Sequence, residues 1–193
     1  MSEIFSYLIT ATGLGIGAGV NAYATFLVFG FLARFYPALF NGDLAEFFSS
    51  TPVLVIVGVL YAVEFVADKI PAVDHAWDVV HTFIRPVAGA LIAFASANQE
   101  IPRGVVVFAM LIGGGTALGG HVLKAVTRGV STATTAGSAN PLLSVAEDLF
   151  VFVQTAIAIL LPWIFIGLLL VAALAIPVVL SRRRQRVPQK KSI

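Results

Sequence analysis

VLVIVGVLYAVEFVADKIP, residues Val53–Pro71, begins as a stretch that dissolves in lipid and ends by carrying Glu64, Asp68 and Lys69 into the close of the same helix. An ionisable side chain at the centre of a membrane helix costs about 2.5–3.5 kcal/mol on insertion scales, so such residues face a protein interior or a watery path. Glu64 and Asp68 are four residues apart and share one helix face. Desolvation disfavours the charged form of each, and two neighbouring acids disfavour double ionisation. That face is the first candidate for proton or cation chemistry.

The rest of the chain supports a membrane reading. Its 193 residues are 59% hydrophobic and only 11% charged, with a mean hydropathy of +0.95. A soluble domain of this size exposes more charge, so an all-α integral membrane protein is expected. The sequence holds no cysteine, which excludes disulfides and thiolate metal sites. The formal charge of +2 hides an asymmetry: residues 182–193 carry six basic side chains and no acid. A basic tail directly after an apolar span is a cytoplasmic topology signal and a contact for anionic lipid headgroups, not a nucleic-acid site. The opening MSEIFSYL has no basic region and reads as part of the first membrane segment.

Apolar runs of about 20 residues are the unit of a membrane chain. Ile4–Phe35 is too long for one straight span, and the interruption TGLGIGAGVN (Thr12–Asn21) predicts a helix that is broken at its glycines or strongly tilted. Further spans are expected at 52–71, 86–97, 104–123, 141–161 and 162–180, with a tight Leu-Pro-Trp corner between the last two. DHAWDVVHTFIR (Asp74–Arg85) has an apolar stripe at helical spacing and predicts an amphipathic helix lying in the interface. Thr127–Asn140 reads as a polar loop. About six transmembrane segments result, in a single membrane domain over 1–181 with a basic tail over 182–193. Lys69, Arg85, Lys124 and Arg128 fall on the side of the tail, and Arg34 and Arg103 opposite. The positive-inside rule then predicts a multi-pass protein of the cell (inner) membrane with both termini cytoplasmic.

Gly13, Gly15, Gly19 and Asn21 recur one hundred residues later as Gly113, Gly115, Gly119 and His121. Two halves, 4–98 and 103–181, of three segments each would insert in opposite directions. That is the 3+3 inverted repeat of many transporters, with the site at the repeat interface. Small residues at i, i+4 spacing are also plain packing motifs.

The candidate ion- or substrate-binding residues are therefore Glu64, Asp68, Asn21, His121, Glu147 and Asp148. Glu147 and Asp148 are adjacent, point about 100° apart on a helix, and do not face one site equally; Glu147 is the slightly favoured of the two. They also stand in the first turns after Asn140-Pro141, where acids complement the helix dipole. His121 has the chemistry of a proton relay or metal ligand, but no HxxxH or HExxH spacing accompanies it. Asp68 has Lys69 and Arg85 as nearby bases, and Lys124 reaches the acids only if the two halves pack together. No Ser-His-Asp set and no phosphate loop are present, so no cofactor is expected.

EFVADKIPAVDHAWDVVHTFIRPVAGAL (Glu64–Leu91), GLGIGAGVNAY (Gly13–Tyr23) and the SANP–AED region (Ser138–Asp148) together resemble a family of small multipass membrane proteins known as domain-of-unknown-function family 4126. The resemblance runs from residue 8 to about 165 and implies no particular substrate. A fainter likeness is to the acidic ExGDK signature of duplicated cation/proton exchangers, against E-x-x-x-D-K here. The leading expectation is a small transporter or channel for an ion or small solute, a homo-oligomer and not an enzyme. The alternatives are a membrane enzyme or lipid-handling protein presenting Asp74, Asp78 and His81 to headgroups, and an assembly factor.

Overall fold

The computed structural model describes residues 1–40 and 42–185, and of 71–78 and 178–185 the backbone alone. Among the described residues all regular structure is helical: α1 Ser2–Val20, α2 Ala22–Phe35, α3 Asp43–Ser49, α4 Thr51–Ala67, α5 Pro71–Ala95, α6 Arg103–Thr135, α7 Asn140–Leu160 and α8 Pro162–Gln185, with a 3-10 turn at Pro37–Leu39. Proline opens α4, α5, α7 and α8 within their first two positions, where its missing N–H costs nothing. The side chains of Asp74 and Asp78, and those of the basic tail, lie outside the described residues.

Ser2–Val20, Arg103–Thr135 and Asn140–Leu160 are each long and apolar enough to cross a membrane. A fourth crossing results if α3 and α4, bent by 63° against each other, form one span. Ala22–Phe35, Val79–Ala95 and Pro162–Pro177 are shorter apolar helices.

Three expectations are corrected. The glycines of α1 do not break it; the break is at Asn21, which is extended (φ −149°, ψ 104°) and caps α2 by accepting from the Ala24 N–H. The second glycine run lies inside the unbroken α6, which also absorbs most of the tract expected as a loop. Pro86 sits inside α5, so the amphipathic segment and the apolar segment after it are one helix.

Pairwise contacts give the helix directions. Along α1 and α6, Tyr7 and Ala11 cluster with Val106 and Ala109, Thr116 donates to the Thr12 carbonyl (3.4 Å), and Lys124 donates to the Val20 carbonyl (3.2 Å). The two helices therefore run parallel. A two-fold axis in the membrane plane would relate antiparallel segments, so the hundred-residue offset does not mark an inverted repeat. The glycines agree: Gly15 and Gly19 abut α6 backbone, whereas their counterparts Gly115 and Gly119 have nothing against them. α7 runs antiparallel to α1, as Thr10 bonds the Ala158 carbonyl near one end and Asn21 bonds Asp148 near the other, both at 2.9 Å; α5 runs antiparallel to α6, and so to α1, as Arg85 meets His121 and Ala93 meets Gly113. α2 turns back along α1, and the 38–40 segment shares a cavity with Ser2, Tyr7 and Thr10. The first 35 residues are thus a hairpin and not one broken span. Ser2 consequently lies at the same end as Arg34 and Arg103, against the expectation that it shares a side with Lys69.

A phenylalanine-rich core (Phe26, Phe29, Phe40, Phe48) holds α2, α3 and the 3-10 turn against Ala88 and Ile92 of α5. At the other contact, Gly15 and Gly19 let α1 lie close on α6, and Gly89 meets Gly113 between α5 and α6. Backbone approach of this kind is how membrane helices gain packing without a hydrophobic drive between them.

Candidate functional site: an enclosed charge network

The outward face of α6 is apolar from Val107 through Leu111, Leu118, Val122 and Val126 to Val130. Its buried face starts apolar, with Val106, Ala109, Gly113 and Ala117, and then turns polar at His121, Lys124, Arg128 and Ser131. Charge is inside at levels where the exterior remains oily, so the far half of the bundle encloses its ionised groups.

Glu64 is fully buried while its neighbours Val59, Val63 and Val66 face outward. Arg85 of α5 donates through Nη2 to Glu64 Oε1 at 3.0 Å, and His81 Nε2 lies 3.9 Å from the same oxygen. Arg85 Nη1 also contacts His121 Nδ1 at 2.6 Å, and His121 Nε2 contacts Thr82 Oγ1 at 2.9 Å. A guanidinium only donates, so His121 Nδ1 accepts and the ring carries its proton on Nε2, toward Thr82. The histidine is thereby a neutral link between α5 and α6. His81 and Arg85 point inward while Val79, Val80 and Phe83 are exposed. At these two positions the polar side of the segment expected to lie in the interface turns inward to Glu64.

Asp68 follows α4 and is met from α6 by two cations. Lys124 Nζ and Arg128 Nη2 each stand 2.9 Å from its Oδ2. Arg128 continues to Glu147 of α7 at 2.7 Å. Both cations also serve helix ends: Lys124 donates to the Val20 carbonyl that closes α1, and Arg128 to the Asp68 carbonyl at 3.3 Å. Terminal carbonyls lack intrahelical donors and carry the negative end of the dipole, so a cation there satisfies both.

Asp148 is 5% exposed. Its Oδ1 accepts from Asn21 Nδ2 at 2.9 Å, and Tyr61 of α4 lies against it. Among the described residues it is the one buried acid without a basic partner in ion-pair contact. Among the described residues its Oδ2 has no hydrogen-bond partner, and neither have Ser144 Oγ, Asn140 Oδ1, Ser131 Oγ and Glu64 Oε2.

All six sequence-nominated residues therefore converge, in three linked sets: Glu64 with His121 through Arg85, Asp68 with Glu147 through Arg128, and Asn21 with Asp148. Asn21 and His121 do not meet as symmetry mates. Of the two adjacent acids, Glu147 is the more exposed, at 15%, and Asp148 the deeper. Arg85, Lys124 and Arg128 enter the sequence reading chiefly as orienting charges on the side of the tail; the signal that places the last two in the network is their phase, since His121, Lys124 and Arg128 continue the spacing of Gly113 and Ala117. Among the described residues no three His, Asp or Glu side chains converge as a metal-ligand set.

Two of the cavities bear on the site. One of about 490 Å³ opens at the opposite end, lined by Ser6, Tyr7, Thr10, Ser96 and Trp163 among others. The other, about 270 Å³, is a groove between α6 and α7 walled by Leu123, Leu143 and Phe150, with Lys124 and Glu147 on its lining.

A family model described as a domain of unknown function, DUF4126, matches residues 8–182. No curated protein and no solved structure matches the chain.

Proposed function

The chain belongs to the DUF4126 family, and we propose that it is a small membrane transporter or channel for an ion or small solute, coupled to protons or cations through its intramembrane carboxylates. The observation that carries this reading is the enclosure of Glu64, Asp68, Asp148, Arg85, Lys124 and Arg128 within an apolar exterior. Replacing a buried ion pair by packed apolar groups is often neutral or stabilising, so a fold with no use for these charges would be as well served by leucines. Ion pairs that exchange partners or protons are a means of coupling in a membrane. In the same reading the basic tail rests on anionic headgroups, and the protein works as a homo-oligomer.

The test is proton flux into liposomes holding the purified protein and a pH-sensitive dye, under imposed sodium or potassium gradients. Glu64→Gln abolishes coupled flux if the network is the coupling device; full flux in that variant removes Glu64 from the mechanism. The lipid-handling alternative is favoured by one observation, the groove between α6 and α7 that opens an apolar wall beside Lys124 and Glu147. Lipid retained through detergent exchange and lost on a Leu143→Trp change would support that reading instead.

A further inference from the structure

We propose that Asp148 is a water-accessible proton-binding site, reached along the buried face of α7 from the network end of the bundle. The inference deepens the transport reading and rests on it for its purpose. Asn140, Ser144 and Asp148 follow one another at i, i+4, i+8, so their side chains stack along one face over about 12 Å. They are 2%, 0% and 5% exposed. Ser131 of α6 is likewise buried. Each of the four holds an oxygen with no hydrogen-bond partner.

Buried polar atoms in native folds are nearly always paired, with protein or with water, and an unpaired one costs about 1–3 kcal/mol. Three of these oxygens, on Asn140, Ser144 and Asp148, share one face of α7 and have no hydrogen-bond donor among the described residues, and water is the donor small enough to serve all of them. The column ends on a carboxylate. Beyond Asp148 the polar lining continues: Asn21, then Thr25, Gln154 and Thr155, all buried, and then Thr10, which lines the cavity at the opposite end. The buried face of α7 is thus polar over most of its length, in a helix whose other face presents Leu142, Val145, Leu149 and Val153 outward.

The ion pairs explain why this acid is the one free to bind a proton. Glu64 and Asp68 are each held by a cation at 3.0 Å or less. Asp148 has the Asn21 amide on its Oδ1 and Tyr61 beside it, and among the described residues its Oδ2 has no hydrogen-bond partner. The groups facing it are Tyr61, Glu64 and Asp68 from the α4 side, Lys69 beyond that helix, and Lys124 from α6. In the step itself an O–H bond forms at Asp148 Oδ2 as one breaks on a neighbouring water, which takes a proton in turn from the bulk at the network end, and release is the reverse; no co-reactant is consumed.

The chain has no cysteine, so single-cysteine variants report cleanly. Ser144→Cys, Asn140→Cys, and as lipid-facing controls Val145→Cys and Leu149→Cys, are reconstituted in liposomes and treated with a small cationic methanethiosulfonate. In parallel the unmodified protein is treated with dicyclohexylcarbodiimide, which couples to protonated carboxyls in apolar surroundings, and the adduct is mapped by peptide mass. The expected result is reaction at 144 and 140 from one side only, no reaction at 145 or 149, and an adduct on Asp148 that disappears at high pH and in Asp148→Asn. Inert cysteines at both 144 and 140, or an unmodified Asp148 at low pH, overturn the proposal whatever the flux assay returns. An accessible, modifiable Asp148 in a protein that carries no protons or ions keeps the site and overturns the transport reading.

Discussion

Arg85 and Glu64 meet where neither side chain is exposed at all, and that geometry makes the pair asymmetric under mutation. Removing one member of a buried pair strands the other and typically costs about 3–5 kcal/mol, whereas replacing both by packed apolar residues is often close to neutral. Glu64→Leu and Arg85→Met are each expected to lower thermal stability in detergent sharply. The double variant should recover most of the loss, and additive losses would show that the two residues act independently. Glu64 was legible from its position in an apolar run, since nothing else explains an acid there. Its partner was not. Arg85 follows the stretch DHAWDVVHTFI, and a residue count along the chain cannot tell which way a polar stripe points.

The glycines decide matters at the level of the helix pair. An added Cβ at Gly19 would meet the Ala117 backbone and one at Gly113 would meet the Gly89 carbonyl, while one at Gly115 would meet nothing. Overpacking of a close contact costs about 1–3 kcal/mol. Gly19→Ala and Gly113→Ala should lower the melting temperature in detergent, and Gly115→Ala should leave it unchanged or raise it, because alanine favours the helix. Equal effects at 113 and 115 would contradict the packing described. The spacing of these residues was visible in the sequence, but identical spacing served different ends. In α1 it makes a contact surface on both sides, and in α6 only Gly113 of the repeated positions is enclosed. A matching pattern therefore implied a symmetry that the contacts do not have.

Across the whole molecule, the apolar runs and the prolines that open them were legible, because hydropathy and the missing N–H act locally. The hairpin of α1 and α2 was not, since it reverses at Asn21 alone, without the polar loop that normally marks a turn. Its effect on topology is testable. Single cysteines at Glu3 and Glu100 should react with an impermeant reagent from one side of the membrane, and one at Ala136, in the turn after α6, from the other. Reaction of positions 3 and 136 from the same side would restore the single broken span. The same hairpin bears on how the chain is made. Glu64 gains Arg85 after only 21 more residues, so the two can leave the ribosome as one neutral unit. Asp68 waits 56 residues for Lys124. Asn21 waits 127 for Asp148, which at ordinary synthesis speeds is roughly 6–25 s. The first turn of the protein thus stays provisional until α7 arrives, and chains halted before α7 should be the ones that membrane quality control removes.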